Sequence, residues 1–387
     1  MRIALLAPLV SPIAPPFLGG AQALLFDLAT GLAARGHAVT LYAADGSDVP
    51  GVRIVPLGID AATLRPAIFT ASKHDAAVDT DAGDESGDEE DAFATDEAVF
   101  QPSYAFLRVY RAIAAHADEH DLLHAHAYDQ PAFAFGSLQP LPIVHTLHLA
   151  AVDGPIREAL HLLAPPGASS PTRLVTVSHA CAATYAPYCR IDAVIYNGVD
   201  VARIPFGAQP DSNGYLLFAG RIAPEKGVAD AISIAEQSGH PLLLAGGIYD
   251  QAYFDSIVAP RLAYGSSAAR YLGAVSRERL WELMAGARAV LAPAQWEEPF
   301  SLVACEAQAA GAPVIAYARG GLREVVADGE TGWLITPGDV AAAVDAVARI
   351  HALDRADCRE RVIRTFSLNS MLDAYEAFYT SMLQGRM

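Results

Sequence analysis

The stretch from Gln295 to Ala316, QWEEPFSLVACEAQAAGAPVIA, limits the fold more than any other part of the chain. It opens as a polar loop in which Pro299 lacks the N–H that a helix interior requires. Ser301 supplies a side-chain oxygen suited to capping the first amides of a helix. The run LVACEAQAA is built of good helix formers, and Gly311-Ala312-Pro313 stops it. VIAY then reads as a short buried strand. Loop, capped helix, stop and strand make an α/β unit whose helix start is open to a ligand. Such an end carries unpaired N–H groups and roughly half a positive charge, which favours phosphate. Glu298 stands just before the helix and Glu306 lies in its second turn, with seven residues between them. Carboxylates accept hydrogen bonds from hydroxyls, so the stretch suits a ligand that joins phosphate to hydroxyl-bearing rings.

A second stretch has the complementary charge. GRIAPEKG, Gly220 to Gly227, follows the strand YLLFA and precedes a helical pattern. Arg221 and Lys226 are five residues apart across this loop. That spacing lets a forked guanidinium and an ammonium converge on one diphosphate. Earlier in the chain, the strand at residues 3–8 runs into a Pro- and Gly-rich loop ending in Gly19-Gly20. A helix with apolar residues at helical spacing follows, and HAVTLYA reads as the next strand. This order opens a parallel α/β sheet. The loop has no GxGxxG, which argues against a nicotinamide dinucleotide site; the glycine pair serves either a close backbone approach to a ligand or a tight turn. PIVHTLHLA is a strand ending in His145 and His148, at the carboxyl edge where open parallel sheets bind ligands. DLLHAHAYD brings His124 and His126 on a neighbouring strand-like run. Residues Gln101 to His120 have a helical apolar face of Phe106, Val109, Tyr110 and Ile113.

At 387 residues and 52% hydrophobic, the chain is long enough for two cores. A net charge of −18 argues against nucleic acid and against docking on anionic lipid. Residues 72–98 are dense in acid, Ala, Gly and Ser and read as a mobile inserted loop. Within them Asp79-Thr80-Asp81 has the form of a metal-binding DxD, but sits in a run of like charge with no flanking strand. Cys181, Cys189, Cys305 and Cys358 form no zinc spacing and suit buried thiols in a reducing cytosol. No run reaches the ~20 apolar residues of a membrane helix. The expectation is a cytoplasmic α/β enzyme without stable membrane insertion.

E-P-F-S-L-V-A-C-E followed by A-A-G-A-P-V, and G-R-I-A-P-E-K-G, together resemble the motifs of retaining glycosyltransferases of family 4, and the resemblance spans nearly the whole chain. It implies the GT-B fold, two Rossmann-like doubly wound domains facing across a cleft. Residues 1–193 would bind acceptor, 194–367 would bind a nucleotide-sugar donor, and 368–387 would form a helix returning to the first domain. Val194 to Asp200 would be the bridge between the two. By the same resemblance His148, ending a T-x-H strand, and Glu298 would act at the transferred sugar. Gly19 and Gly20 would approach the diphosphate, Arg221 and Lys226 would hold it, and Val275 would contact the base through its backbone. The amides of Phe300, Ser301 and Leu302 would hold sugar hydroxyls and phosphate, and Glu306 the ribose. The implied reaction is retaining transfer to a hydroxyl acceptor from a UDP-sugar first, a GDP-sugar second, with no cofactor and no metal. An epimerase or hydrolase of the same fold is the alternative. Ser301 replaces the commoner Gly of the family, which puts a hydroxyl beside the donor sugar.

Overall fold

The computed structural model describes residues 1–17, 19–62, 64, 89–168, 170–212, 214–263 and 269–385, with the backbone alone for 89–100 and 263. The chain divides into two compact units. The first is Met1–Thr176, Ala182–Ile195 and Ala374–Met387; the second is Val177–Cys181 and Tyr196–Asp373. Each is an α/β unit built on one parallel sheet, and both sheets have the doubly wound order.

In the first unit the strands are β1 (Arg2–Leu6), β2 (Ala38–Tyr42), β3 (Arg53–Val55), β4 (Leu122–Ala125), β5 (Ile143–Leu147), β6 (Thr172–Thr176) and β7 (Ala193–Val194). They lie in the order β3-β2-β1-β4-β5-β6-β7, so winding reverses between β1 and β4. Ile3 pairs with Val39 on one side and Leu122 on the other, and β1 and β4 are buried along nearly their whole length. That burial on both faces is why these strands read as unbroken apolar runs rather than as an alternation. Helix Gly20–Ala34 joins β1 to β2 and buries Leu24, Leu25, Leu28 and Leu32. The helix expected over Gln101–His120 instead spans Glu89–Ala115 and is followed by a 3-10 turn, Ala117–Glu119. Its start lies within the stretch expected to be a loop, because the Glu- and Ala-rich residues before Pro102 are themselves good helix formers. The remainder of that acidic stretch up to residue 88, with Asp79-Thr80-Asp81, lies outside the described residues.

The second unit contains β8 (Leu216–Ala219), β9 (Leu242–Ala245), β10 (Ala269–Gly273), β11 (Ala289–Ala292), β12 (Val314–Tyr317) and β13 (Gly332–Ile335). Their order is β10-β9-β8-β11-β12-β13, with the reversal between β8 and β11. The core comprises Leu216, Phe218, Leu244, Leu291, Ile315 and the helix residues Ile232, Ile234 and Val347. Val194, expected to open the bridge, still pairs with Thr176 in the first sheet.

The first unit buries an unusual number of imidazoles. His124 and His145 are fully buried and His126 nearly so. His124 bonds Tyr379 Oη at 2.6 Å through Nδ1 and Thr146 Oγ1 at 2.7 Å through Nε2, and Thr146 Oγ1 meets Tyr375 Oη at 2.9 Å. His145 packs on Phe133, and among the described residues neither of its ring nitrogens has a hydrogen-bond partner. Burial holds the His145 imidazole down at about 3, and His124 and His126 well below the usual range, with neighbouring histidines adding to the effect on the last two. The unfolded chain, with histidines near about 6.5, therefore takes up protons that the fold refuses. For His145 this happens between about pH 6.5 and about pH 3. Stability is lost as pH falls through that window, by up to about 1.4 kcal/mol per pH unit for each such histidine. The melting temperature is expected to drop from about pH 7.5 to about pH 5, and His145→Leu to make that slope shallower while costing little at the upper end, where an unpartnered polar group is replaced by an apolar one. Parallel slopes for wild type and variant would contradict this.

Candidate functional site

The two cation- and carboxylate-bearing stretches leave the second sheet from adjacent strands. Gly220 follows the last residue of β8, and the loop after β11 runs from Pro293 to Ser301. These are the carboxyl ends that flank the reversal of winding, the place where doubly wound sheets bind ligands. The loops are locked together. Gly227 has a φ of +73°, and a Cβ there would overlap the carbonyl of Pro293, so the position accepts glycine alone. The N–H of Gln295 donates to the Glu225 carbonyl at 2.8 Å, and its side chain donates to Asp230 at 2.9 Å. On the far side, a Cβ at Gly320 would overlap the Glu298 carbonyl, while the N–H of Gly321 bonds that same carbonyl at 2.6 Å.

Lys226 and Glu298 meet directly. Lys226 Nζ donates to Glu298 Oε2 at 2.7 Å, and Trp296 Nε1 donates to the same oxygen at 2.7 Å. The ammonium also lies over the Trp296 ring, 5.0 Å from its centre. Arg221 does not join this group. Its guanidinium bonds Glu225 at 3.3 Å and stacks on Tyr249 at 4.4 Å.

Helix Leu302–Ala309 starts at Ser301, which has a φ of +81° and whose Oγ accepts from the N–H of Ala304 at 3.3 Å. Ser301 is the one residue other than glycine among the described residues with a left-handed backbone, which explains why the family pattern prefers glycine there. Phe300 is buried between Tyr196 and Phe366 and pins the loop. Among the described residues, the N–H groups of Phe300, Ser301 and Leu302 have no acceptor. Glu306 is nearly buried one turn later, and its Oε1 accepts from Arg277 Nε at 2.9 Å. Val275 lies in the loop between β10 and helix Arg277–Gly286.

Gly19, Gly20 and His148 belong to the first unit. Gly19 is the extended residue before helix Gly20–Ala34, which has no side-chain cap. His148 follows β5 and its Nε2 lies 2.9 Å from His126 Nδ1, with the two rings stacked. Burial lowers the His148 imidazole to about 4, so it is neutral near pH 7. Asp129, which follows β4, has its carboxyl pushed up to about 7, by burial first and by Asp153 second. Trp296, Tyr249 and Arg277 carried no signal in sequence beyond residue type, because their partners are brought in by the fold.

Among the described residues no cluster of three His, Cys, Asp or Glu stands at metal-binding separation, and no helix is long and apolar enough to cross a membrane. The family model for group 1 glycosyl transferases matches residues 204–365, and the model for glycosyltransferase family 4 matches residues 18–203. Glycogen synthase of Mycobacterium tuberculosis (strain H37Rv) is 31% identical, aligned over 68% of this chain and 70% of that protein. D-inositol 3-phosphate glycosyltransferase of Mycobacterium marinum is 30% identical over 98% of this chain and 85% of its own. Among solved structures, sucrose-phosphate synthase from Thermosynechococcus elongatus has a TM-score of 0.76 at 21% identity, with 100% of each chain covered. Anabaena HepE in complex with UDP and glucose has a TM-score of 0.68 at 18% identity over 98% of this chain and 100% of that one. These last two likenesses speak to the fold. Since adjoining family models take up both units and a relative is matched along nearly the whole chain, the protein belongs to glycosyltransferase family 4 and is a glycosyltransferase of the GT-B fold.

Proposed function

We propose that the protein transfers a sugar from a nucleoside-diphosphate sugar, UDP-linked in the first instance, to a hydroxyl acceptor with retention of configuration and without a metal ion. One observation carries the reading. The reversal point of the second sheet brings Lys226 against Glu298 beside a helix start with unengaged amides, with Arg221 on the same loop as Lys226 and Glu306 one turn into that helix, groups suited to a diphosphate bonded to two sugar rings. The likeness to Anabaena HepE, solved with UDP and with UDP-glucose, supports the UDP choice over GDP.

On this reading the Lys226–Glu298 pair is the resting arrangement. When donor enters, its diphosphate competes for the ammonium and Lys226 turns towards it. Glu298 stays anchored by Trp296 Nε1 and gains capacity to accept sugar hydroxyls. Arg221, held by Glu225 and Tyr249, adds a second fixed cation. As the bond from the anomeric carbon to the phosphate oxygen breaks, the charge on the departing phosphate is met by these cations and by the amides of Phe300, Ser301 and Leu302. The acceptor oxygen forms its bond on the same face, and its proton passes to the departing phosphate oxygen. His148, neutral at the pH of the reaction, is suited to hydrogen-bond a sugar hydroxyl without adding charge. Gly19 and Gly20 leave the backbone before helix Gly20–Ala34 accessible to phosphate, and Val275 offers its main chain to the base.

The charge assignment is tested by thermal shift with UDP, GDP, ADP and TDP, each with and without EDTA. A ligand at ~100 times its dissociation constant adds about 2.7 kcal/mol, a shift of a few degrees for a protein of this size. One nucleotide is expected to shift the melting temperature equally with EDTA. A shift abolished by EDTA would overturn metal independence, and no shift at millimolar nucleotide would overturn the site.

Substitutions separate the two partners of the ion pair. Lys226→Met is expected to weaken nucleotide binding about tenfold and to lower transfer about a hundredfold, as does loss of one donor to a developing anion. Glu298→Gln is expected to bind nucleotide at least as tightly as wild type, because Lys226 is released, while transfer falls about a hundredfold. If Glu298→Gln weakens nucleotide and leaves transfer intact, its role at the sugar is wrong. Assays run without acceptor distinguish the alternatives: steady donor turnover to a free sugar or an epimeric donor would mark a hydrolase or an epimerase.

A further inference from the structure

We propose that Arg277 is a positioning residue: it fixes the carboxylate of Glu306 so that one oxygen faces the donor ribose, and thereby sets the protein's preference for ribonucleotides over deoxyribonucleotides. The inference rests on the reading of Glu306 as the ribose acceptor. The resemblance that pointed to Glu306 attached no role to Arg277, and the pairing comes from the fold alone.

Arg277 is the first residue of helix Arg277–Gly286, which Ser276 caps by accepting from the N–H of Arg279 at 3.2 Å. Its guanidinium lies over the buried ring of Trp281, 4.9 Å from the ring centre. Capping fixes the backbone and the Trp281 ring packs against the guanidinium, whose Nε–H is aimed at Glu306 before any ligand arrives. It donates to Glu306 Oε1 at 2.9 Å, between side chains only 14% and 8% exposed. Glu306 Oε2, by contrast, has no hydrogen-bond partner among the described residues.

A carboxylate has about four acceptor positions, and a single contact through Nε leaves both lone pairs of the second oxygen available. A carboxylate this deeply buried, stripped of its cation, would be costly and free to rotate about its side-chain torsions. Arg277 thus does two things for one oxygen: it offsets the charge of Glu306 and prevents its rotation. A ribose 2′-hydroxyl donating to Oε2 then meets an acceptor already in place, and a 2′-deoxy sugar, which keeps only its 3′-hydroxyl, leaves that acceptor position unpaired.

The test compares dissociation constants for UDP, GDP or ADP, whichever shifts the wild-type melting temperature, with those for dUDP, dGDP or dADP. Wild type is compared with Arg277→Met, which keeps an apolar stem on Trp281 and removes the Nε–H. Should the Met variant fail to give a cooperative melt, Arg277→Gln replaces it. Wild type is expected to favour the ribonucleotide about tenfold or more, and the variant to bring that ratio to within about twofold with little change in deoxyribonucleotide binding. In transfer assays the variant is expected to raise the KM for donor while kcat stays near wild type, the mark of an interaction lost equally from ground and transition states. An unchanged ribo-to-deoxy ratio in the variant, or equal weakening of both nucleotides, would overturn the role of Arg277 while leaving Glu306 at the ribose. No discrimination in wild type would overturn the ribose reading of Glu306 and the inference with it.

Discussion

The close packing of two loops at the β8/β11 reversal is what brings Lys226 against Glu298 in the second unit. Gly227 must be glycine for the loop after β8 to lie against Pro293, and the Gln295–Glu225 main-chain bond holds that fit. One loop brings Arg221 and Lys226, the other brings Glu298 and the start of helix Leu302–Ala309. Parallel sheets make such junctions because each strand ends at the same edge and the winding must part somewhere. The junction of Gly320 and Gly321 with Glu298 and Pro299 closes the other flank, so the segment carrying Glu298 is clamped from both sides.

The first unit solves a different problem. It keeps imidazoles in an apolar interior, where their charged forms are excluded by burial. Tyr375 and Tyr379, from the C-terminal helix Leu368–Gln384, satisfy the network of Thr146 and His124, so the last helix of the chain supplies hydrogen bonds that the sheet cannot provide for itself. His148 lies at the edge of the same group, stacked on His126. Burial lowers its imidazole to about 4, so that ring is neutral near pH 7.

Much of this was legible in sequence, for identifiable reasons. Helix Leu302–Ala309 carries its own signals, a capping serine and a glycine stop, and β12 is a short apolar run between breakers; both are local. The parallel strands read clearly because burial on two faces leaves unbroken apolar runs. The start of helix Glu89–Ala115 did not, because acidic composition and Pro102 mimic a loop that ends there. β13 was hidden in a glycine-rich run whose strand character comes from pairing with β12. At the site, residue types were legible but partnerships were not. Lys226 meets Glu298 across 72 residues and Arg277 meets Glu306 across 29, and nothing in local spacing encodes either meeting. The cost of Ser301 was likewise invisible, since a left-handed backbone shows only once the chain is folded.

In the proposed function, Lys226 exchanges Glu298 for a donor phosphate. A crystal structure of the protein grown with UDP measures this most directly. The expected result is Lys226 Nζ within hydrogen-bond distance of a phosphate oxygen, Trp296 still bonded to Glu298, and phosphate oxygens on the amides at the start of helix Leu302–Ala309. UDP bound elsewhere, or bound with the Lys226–Glu298 contact of 2.7 Å intact, would contradict it.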